Sequence, residues 1–268
     1  MLAAERQALL LERLARDGKV VAKEIAAELG LSDDSVRRDL RELAAAGLCQ
    51  RVYGGALPVS PALAQYAERT LVAPASKDRV AARAALLIVP GSTVILDGGT
   101  TTLAVVHALP PALTCTVVTH SPTIAAALVP HEGVEVFLLG GRLFKHSAVT
   151  CGAAAVEAAQ AITADLFLLG VTGVHPSAGL TTGDVEEAAM KRALAGRAAD
   201  TYVLASAEKI GVASPYRVLP FADIAGIITD TALTDTAATG TALSGTAAEN
   251  ATLAELRAAG VSILTADD

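Results

Sequence analysis

The 268-residue sequence predicts an α/β chain in two parts: an N-terminal winged helix-turn-helix, then a doubly wound parallel sheet with helices on both faces. Three observations carry that expectation. Residues 1–57 hold three short helical patterns and a glycine-punctuated extended pair. From residue 75 to 268, strand-like apolar runs alternate with helical ones, the pattern of a parallel sheet buried on both sides. Between them, at 58–74, periodicity fades while Pro, Ser and Ala accumulate, as in a linker. The length suits about two domains.

In the first part, Leu9, Leu10 and Leu14 recur at helical spacing until Asp17-Gly18 stops the first helix. Lys19-Val20-Val21 reads as a short strand. Ala22 to Leu29 forms a second helix closed by Gly30, and Asp33 to about Ala46 a third. Two short helices joined by a tight glycine-containing turn make a helix-turn-helix unit, and Gly47 to Ala56 supplies a wing. On the third helix Val36, Leu40 and Leu43 share one stripe, whereas Arg37, Arg38 and Arg41 face the opposite way. Such guanidinium forks suit the guanine edges and phosphates of a major groove. A solvated face with an Arg38–Glu42 pair accounts for the same charges, but the helix-turn-helix spacing and Arg51 in the wing favour DNA. Asp39 would repel phosphate and is expected to hold a neighbouring arginine or cap local backbone.

Composition narrows the rest. The formal charge is −7, yet residues 1–58 carry nine basic and nine acidic side chains, so the acidity lies wholly in the second part. At 52% hydrophobic and 18% charged, the chain is not intrinsically disordered. Its apolar runs, such as Ala84 to Val89, are far shorter than the ~18 residues of a membrane-spanning helix. The start lacks the pattern of a signal peptide, and the expected location is the cytoplasm. Cys49, Cys115 and Cys151 form no Cys-x-x-Cys pair, which argues for small buried thiols over disulfides, zinc ligands or nucleophiles.

The strands expected in the second part are Thr93 to Leu96, Thr116 to Thr119, Val134 to Leu139, Leu166 to Leu169, Tyr202 to Ala205, Ile224 to Thr229 and Val261 to Leu264. The helices are Lys77 to Val89, Thr102 to Leu109, Thr123 to Val129, Ala153 to Ile162, Val185 to Ala199 and Leu253 to Ala259. The low-complexity run Thr231 to Asn250 reads as a flexible surface loop.

Ligands of open α/β sheets bind at the carboxyl ends of the strands, where this chain gathers glycines and polar residues. Asp97-Gly98-Gly99-Thr100-Thr101-Thr102 leads into a helix: glycines admit backbone amides to an anion, the helix start favours negative charge, and three hydroxyls add hydrogen bonds. It matches no dinucleotide or P-loop fingerprint, so neither a nucleotide cofactor nor a metal is expected. Thr119-His120-Ser121, Gly140-Gly141-Arg142, Gly170-Val171-Thr172-Gly173 and Gly179-Leu180-Thr181-Thr182-Gly183-Asp184 follow, with Glu186, Glu187, Lys191 and Arg192 on the next helix. Singly these are turn and cap residues; gathered at one sheet edge they favour a pocket. Hydroxyls, glycine amides and a few cations suit a small hydrophilic anion such as a phosphorylated sugar. His120 reads equally as base, phosphate donor or structural residue.

Ser32, Ser35, Val36-Arg37-Arg38-Asp39-Leu40, Leu43, Gly47, Arg51 and Gly54-Gly55-Ala56 resemble the N-terminal pattern of DeoR-type (glycerol-3-phosphate regulon type) bacterial transcriptional regulators. The second part is similar to that family's sensor domain in Asp97-Gly98-Gly99-Thr100-Thr101, Thr119-His120-Ser121, Gly140-Gly141-Arg142, Gly179-Leu180-Thr181-Thr182, Lys191 and Lys209-Ile210-Gly211. The resemblance covers nearly the whole chain. It implies a repressor of carbohydrate-metabolism genes whose sensor domain is similar to ribose-5-phosphate isomerase and glucosamine-6-phosphate deaminase, with a phosphorylated effector, double-stranded operator DNA and a dimer or tetramer of the chain as partners. Ser35, Arg37, Arg38, Arg41, Arg51, Tyr53 and Gly54 become the expected DNA contacts. Asp97, Thr100, Thr101, His120, Lys191 and Lys209 become the implied effector contacts, beside Gly98, Gly99, Thr102, Gly141, Arg142, Thr181 and Thr182 of the strand-end loops. Two positions depart from the family pattern: His120 stands where asparagine is frequent, and Ser206 where an aspartate is.

Phosphate in the Asp97-to-Thr102 loop would reorient the Gly179-to-Asp184 segment, with 58–74 passing the change on. Two other readings fit the same residues: an active isomerase or deaminase using Asp97, Asp184 or Glu208, and a constitutive DNA-binding protein whose second domain only oligomerises.

Overall fold

A computed structural model describes residues 2–230 and 247–266. The N-terminal part is built from α1 (Ala3–Asp17), β1 (Val20–Val21), α2 (Ala22–Leu29), α3 (Asp33–Ala45), β2 (Gln50–Val52) and β3 (Gly55–Leu57). Gly18 and Gly30 end α1 and α2 in the left-handed conformation, and the Ser32 hydroxyl caps α3 by accepting from the Ser35 amide. Leu10, Leu14, Ile25, Val36, Leu40 and Leu43 form its core. β3 pairs with both β1 and β2 to make the wing, and Gly55 is demanded there: a Cβ would lie 1.8 Å from the Val20 carbonyl oxygen. Asp39 is buried on α3 and takes both its oxygens to the Arg6 guanidinium, which ties α3 to α1. Glu42 accepts from Gln7 at 2.7 Å, so the Arg38–Glu42 couple is replaced by a contact between helices.

Residues 58–73, read from sequence as an aperiodic linker, carry a 3-10 turn at Pro61–Leu63 and α4 (Tyr66–Arg69). They lie against the second part. The Ser60 hydroxyl donates to the Thr172 carbonyl, the Tyr66 amide donates to the His146 carbonyl at 2.9 Å, and Leu63 fills the space above Gly183. Composition announced the lack of periodicity; these contacts, between residues far apart along the chain, leave no local pattern.

The second part runs α5 (Pro74–Ala85), β4 (Thr93–Leu96), α6 (Thr100–His107), β5 (Cys115–Thr119), α7 (Pro122–Leu128), β6 (Val134–Leu138), β7 (Arg142–Phe144), β8 (Val149–Cys151) and α8 (Ala153–Gln160). It continues with β9 (Ala164–Gly170), β10 (Gly173–His175), β11 (Gly179–Thr182), α9 (Val185–Ala195), β12 (Ala198–Leu204), β13 (Tyr216–Arg217), β14 (Gly226–Thr229), α10 (Ala247–Ala258) and β15 (Ile263–Thr265). Seven strands form one parallel sheet in the order β15-β14-β12-β9-β4-β5-β6. Alternate side chains feed two cores. Ile95, Phe167 and Leu169 pack with Ala155, Met190 and Leu253 of α8, α9 and α10, whereas Val94, Leu96 and Leu168 pack with Val80, Val105 and Ile124 of α5, α6 and α7.

The expected helix through Ala199 stops at Ala195, and β12 already begins at Ala198, in a polar stretch that strand periodicity does not mark. The short antiparallel pairs β7–β8 and β10–β11–β13 were not expected; each strand is two to four residues long, too short for a period to register. Of the run 231–250, residues 247–250 belong to α10 and the remainder lies outside the described residues.

Candidate functional site

The strand order reverses between β4 and β9, so their carboxyl ends open the crevice at the topological switch point. Asp97 follows β4 and is fully buried. A buried carboxylate is tolerated only where donors replace water, and four elements supply them. Oδ1 accepts from the Gly98 amide and from His120 Nε2, each at 2.8 Å. Oδ2 accepts from the Gly170 amide at the end of β9 at 2.8 Å, and from Lys191 Nζ of α9 at 2.5 Å. Burial pushes the Asp97 carboxyl up, but the charge of Lys191 and the His120 hydrogen bond outweigh it and hold it well below the usual carboxylate range. His120 places its other nitrogen, Nδ1, 2.8 Å from the Thr150 carbonyl. The ring thus bridges the Asp97 carboxylate and the Thr150 carbonyl, one on each nitrogen.

Above this buried cluster lies a partly open cavity. Gly98, Gly99, Thr100, Thr101, Thr102, Thr182, Lys191 and Lys209 of the expected effector set line it. A Cβ on Gly98 would lie 2.1 Å from Val149 Cγ1, and Gly99 holds a φ of +123°, so the backbone enters α6 along a path that only glycine takes without displacement. Lys209 donates to Thr101 Oγ1 at 2.8 Å and to the Leu204 carbonyl at 3.2 Å. Burial pushes its ammonium down to about 8, against the opposing pull of Glu208.

Five expected residues do not line this cavity. Asp97 and His120 form its buried foundation, because their side chains turn back toward the sheet and toward Thr150. Gly141 packs on Ala155 and Cys151. Arg142 points to the surface, where it pairs with Glu186. Thr181 accepts from the Ser214 amide at 2.9 Å and faces Gly173, bracing β11 against its neighbours.

Sequence reasoning missed the wall contributed by the 58–73 segment and the start of α5. Ala62, Arg69, Val72 and Lys77 line the cavity, as do Ser147, Thr172, Glu187 and Glu208. Lys77 is held by donating to the Arg69 carbonyl, and burial lowers the pKa of both Arg69 and Lys77. Arg69 Nε and one terminal nitrogen, Thr102 Oγ1 and Glu208 Oε2 are buried without a protein partner. A cavity that gathers four cationic side chains and several unmet polar atoms is built for a charged, hydrogen-bonding guest. Only a basic residue amid the Tyr66–Arg69 stretch could have pointed to that wall from the sequence.

In the first part, Arg37, Arg38 and Arg41 occupy the solvent face of α3, with Ser35 half-buried at its start. Arg51 is exposed on β2, and Tyr53 at the wing tip is fully exposed beside Gly54, whose φ is +84°. The wing strands pack against α3, and Arg37 makes a 2.7 Å ion pair with Asp33 one turn back on that helix.

Residues 73–231 match the family described as the DeoR C terminal sensor domain, and residues 6–62 match the DeoR-like helix-turn-helix domain. The HTH-type transcriptional repressor GlcR of Bacillus subtilis (strain 168) is 32% identical over 228 residues, 84% of this chain and 88% of that one. The glycerol-3-phosphate regulon repressor of Escherichia coli (strain K12) is 30% identical over 203 residues, 75% of this chain and 81% of that one. Among solved structures, ribose 5-phosphate isomerase A of Methanocaldococcus jannaschii aligns over 50% of this chain and 52% of its own at 17% identity, with a TM-score of 0.37. Among the described residues, no helix is long and apolar enough to cross a membrane.

Replacing Asp97 by Asn keeps the shape of the buried cluster but leaves Lys191 without its counter-charge. The sensor part should lose about 3–5 kcal/mol, measured by urea unfolding at neutral pH. An unchanged midpoint would contradict the role given to Asp97.

Proposed function

Because the chain belongs to the DeoR family of transcriptional regulators, we propose that it represses carbohydrate-metabolism genes and that a phosphorylated sugar or related metabolite in the β4–β9 crevice controls its grip on operator DNA. The single observation that carries this reading is the convergence of Arg69, Lys77, Lys191 and Lys209 on one cavity beside the Gly98–Thr102 turn into α6. A phosphoryl group there accepts from the ammonium groups and from the first amides of α6. Arg69 joins it from the segment leading to the DNA-binding part. A dimer or tetramer presents the α3 helices to successive half-sites, with Ser35, Arg37, Arg38, Arg41, Arg51, Tyr53 and Gly54 toward DNA.

The control must come from differential affinity, since a ligand that binds both states equally shifts nothing. Arg69 and Ala62 on the cavity wall, Leu63 over Gly183 and Ser60 on Thr172 offer a continuous path to β3. Effector binding would set the position of residues 58–73, and with it the spacing of the DNA-binding parts. The site is read as a sensor without turnover, in keeping with the transcriptional regulators that the chain is similar to: Asp97 is consumed by four donors and Asp184 caps α9 by accepting from the Glu186 and Glu187 amides, which leaves Glu208, with one open oxygen, without a second free carboxylate of the three to complete an acid–base pair.

The test is fluorescence anisotropy of labelled DNA from upstream of the gene, titrated with sugar phosphates at fixed salt. One compound should release the DNA from the wild type. Thr101→Ala should bind the same DNA but fail to respond; loss of operator binding itself in that variant, or an undiminished response, would count against the site.

Effector affinity should also fall as pH rises through about 8, the value to which Lys209 is lowered. The anion engages the protonated ammonium, so binding takes up a proton above that pH and weakens by roughly tenfold once the charge is gone. Calorimetry at pH 7 and pH 9.5 measures it, and equal affinities would contradict the placement of the phosphoryl group beside Lys209.

A further inference from the structure

We infer that Glu208 sets the specificity of the cavity: its Oε2 accepts a hydrogen bond from a hydroxyl or ammonium group of the effector, so that the site selects a phosphorylated polyol or amino sugar over a simple phosphate ester. This rests on the reading of the cavity as an anion-binding sensor site and narrows it.

Glu208 stands in the 3-10 turn Ala207–Lys209 that follows β12. The Ser206 hydroxyl, wholly buried, donates to Oε1 at 2.8 Å and fixes the carboxylate in place. Oε2 is buried and has no partner within the protein, while the side chain lines the cavity. The two lysines that feel its charge make their hydrogen bonds elsewhere: Lys77 donates to the Arg69 carbonyl, and Lys209 to Thr101 and the Leu204 carbonyl. Among the described residues, no ion pair includes Glu208.

For a bare phosphate this carboxylate is a liability, since it repels the ligand and keeps an unmet acceptor out of water. For a ligand that carries a donor a few bonds from its phosphate, the same oxygen becomes the second anchor. Thr102 Oγ1, also buried without a partner and lining the same cavity, can donate or accept and serves a further hydroxyl. Cations for the phosphate and an open acceptor for a donor group, in one cavity, let the site read both parts of the guest.

The test is calorimetry of the full chain with three probes: inorganic phosphate, an alkyl monophosphate, and the phosphorylated polyol of equal carbon number, repeated over a series of chain lengths. The wild type should bind the best polyol ester more tightly than its alkyl counterpart. In Glu208→Ala the ratio of the two affinities should fall roughly tenfold or more, with inorganic phosphate still bound. Glu208→Gln, which retains an acceptor for Ser206, should give a smaller fall and guards against misfolding of the alanine variant. An unchanged ratio in both variants, or no preference in the wild type, overturns the role of Glu208 alone. If the wild type binds no phosphate compound at all, the anion-site reading fails and this inference falls with it.

Discussion

A carboxylate buried at the switch point of a parallel sheet has to be answered from every side, and Asp97 is. Its donors come from its own strand end, from the end of β9, from the end of β5 through His120, and from α9 through Lys191. Each is a separate chain segment, so the demand of one buried charge fixes the mutual placement of the elements that frame the crevice. The glycines after β4 then turn the chain into α6, and the lysines beyond stand at set positions around the cavity. Stability and ligand geometry thus share one cluster.

Above that cluster the polar chemistry is left incomplete. The buried foundation meets its hydrogen bonds, whereas Arg69, Thr102 and Glu208 present unmet atoms. Burial lowers the pKa of Arg69, Lys77 and Lys209, a desolvation penalty that an anionic guest would offset. Residues 58–73 take part directly, since Arg69 belongs to them, and their other anchors reach the wing through β3. In the proposed reading, a ligand held by that arginine would act on the chain leading to α3 without any signal crossing the sheet.

Much of this was legible in the sequence because it is encoded locally. The stripe of Val36, Leu40 and Leu43 against the arginines, the glycines that close α1 and α2, and the apolar strands with polar carboxyl ends all follow from period and turn chemistry. The Asp97-to-Thr102 loop stood out for the same reason. What escaped depends on contacts far apart in the chain. Nothing near Arg69 or Lys77 announces that they share a cavity with Lys191 and Lys209, and proline, serine and alanine made the segment of Arg69 read as a linker. Asp97 and His120 were rightly placed at strand ends, yet a side chain there can turn toward the cavity or back into the fold, and only the partners Lys191 and Thr150 decide which; Thr181, read as part of a loop, lies within β11 and accepts from the Ser214 amide. Asp39 shows the reverse case: a charge misplaced for DNA implied a neighbouring arginine, and Arg6 is that neighbour.

The most direct measurement is hydrogen–deuterium exchange of the full chain with and without a sugar phosphate that releases operator DNA. Protection should appear together in the Gly98–Thr102 turn and in the amides of residues 58–73, because both belong to one binding wall. Protection confined to the Gly98–Thr102 turn, with 58–73 exchanging as before, would contradict the claim that this segment carries the ligand's effect to the DNA-binding part.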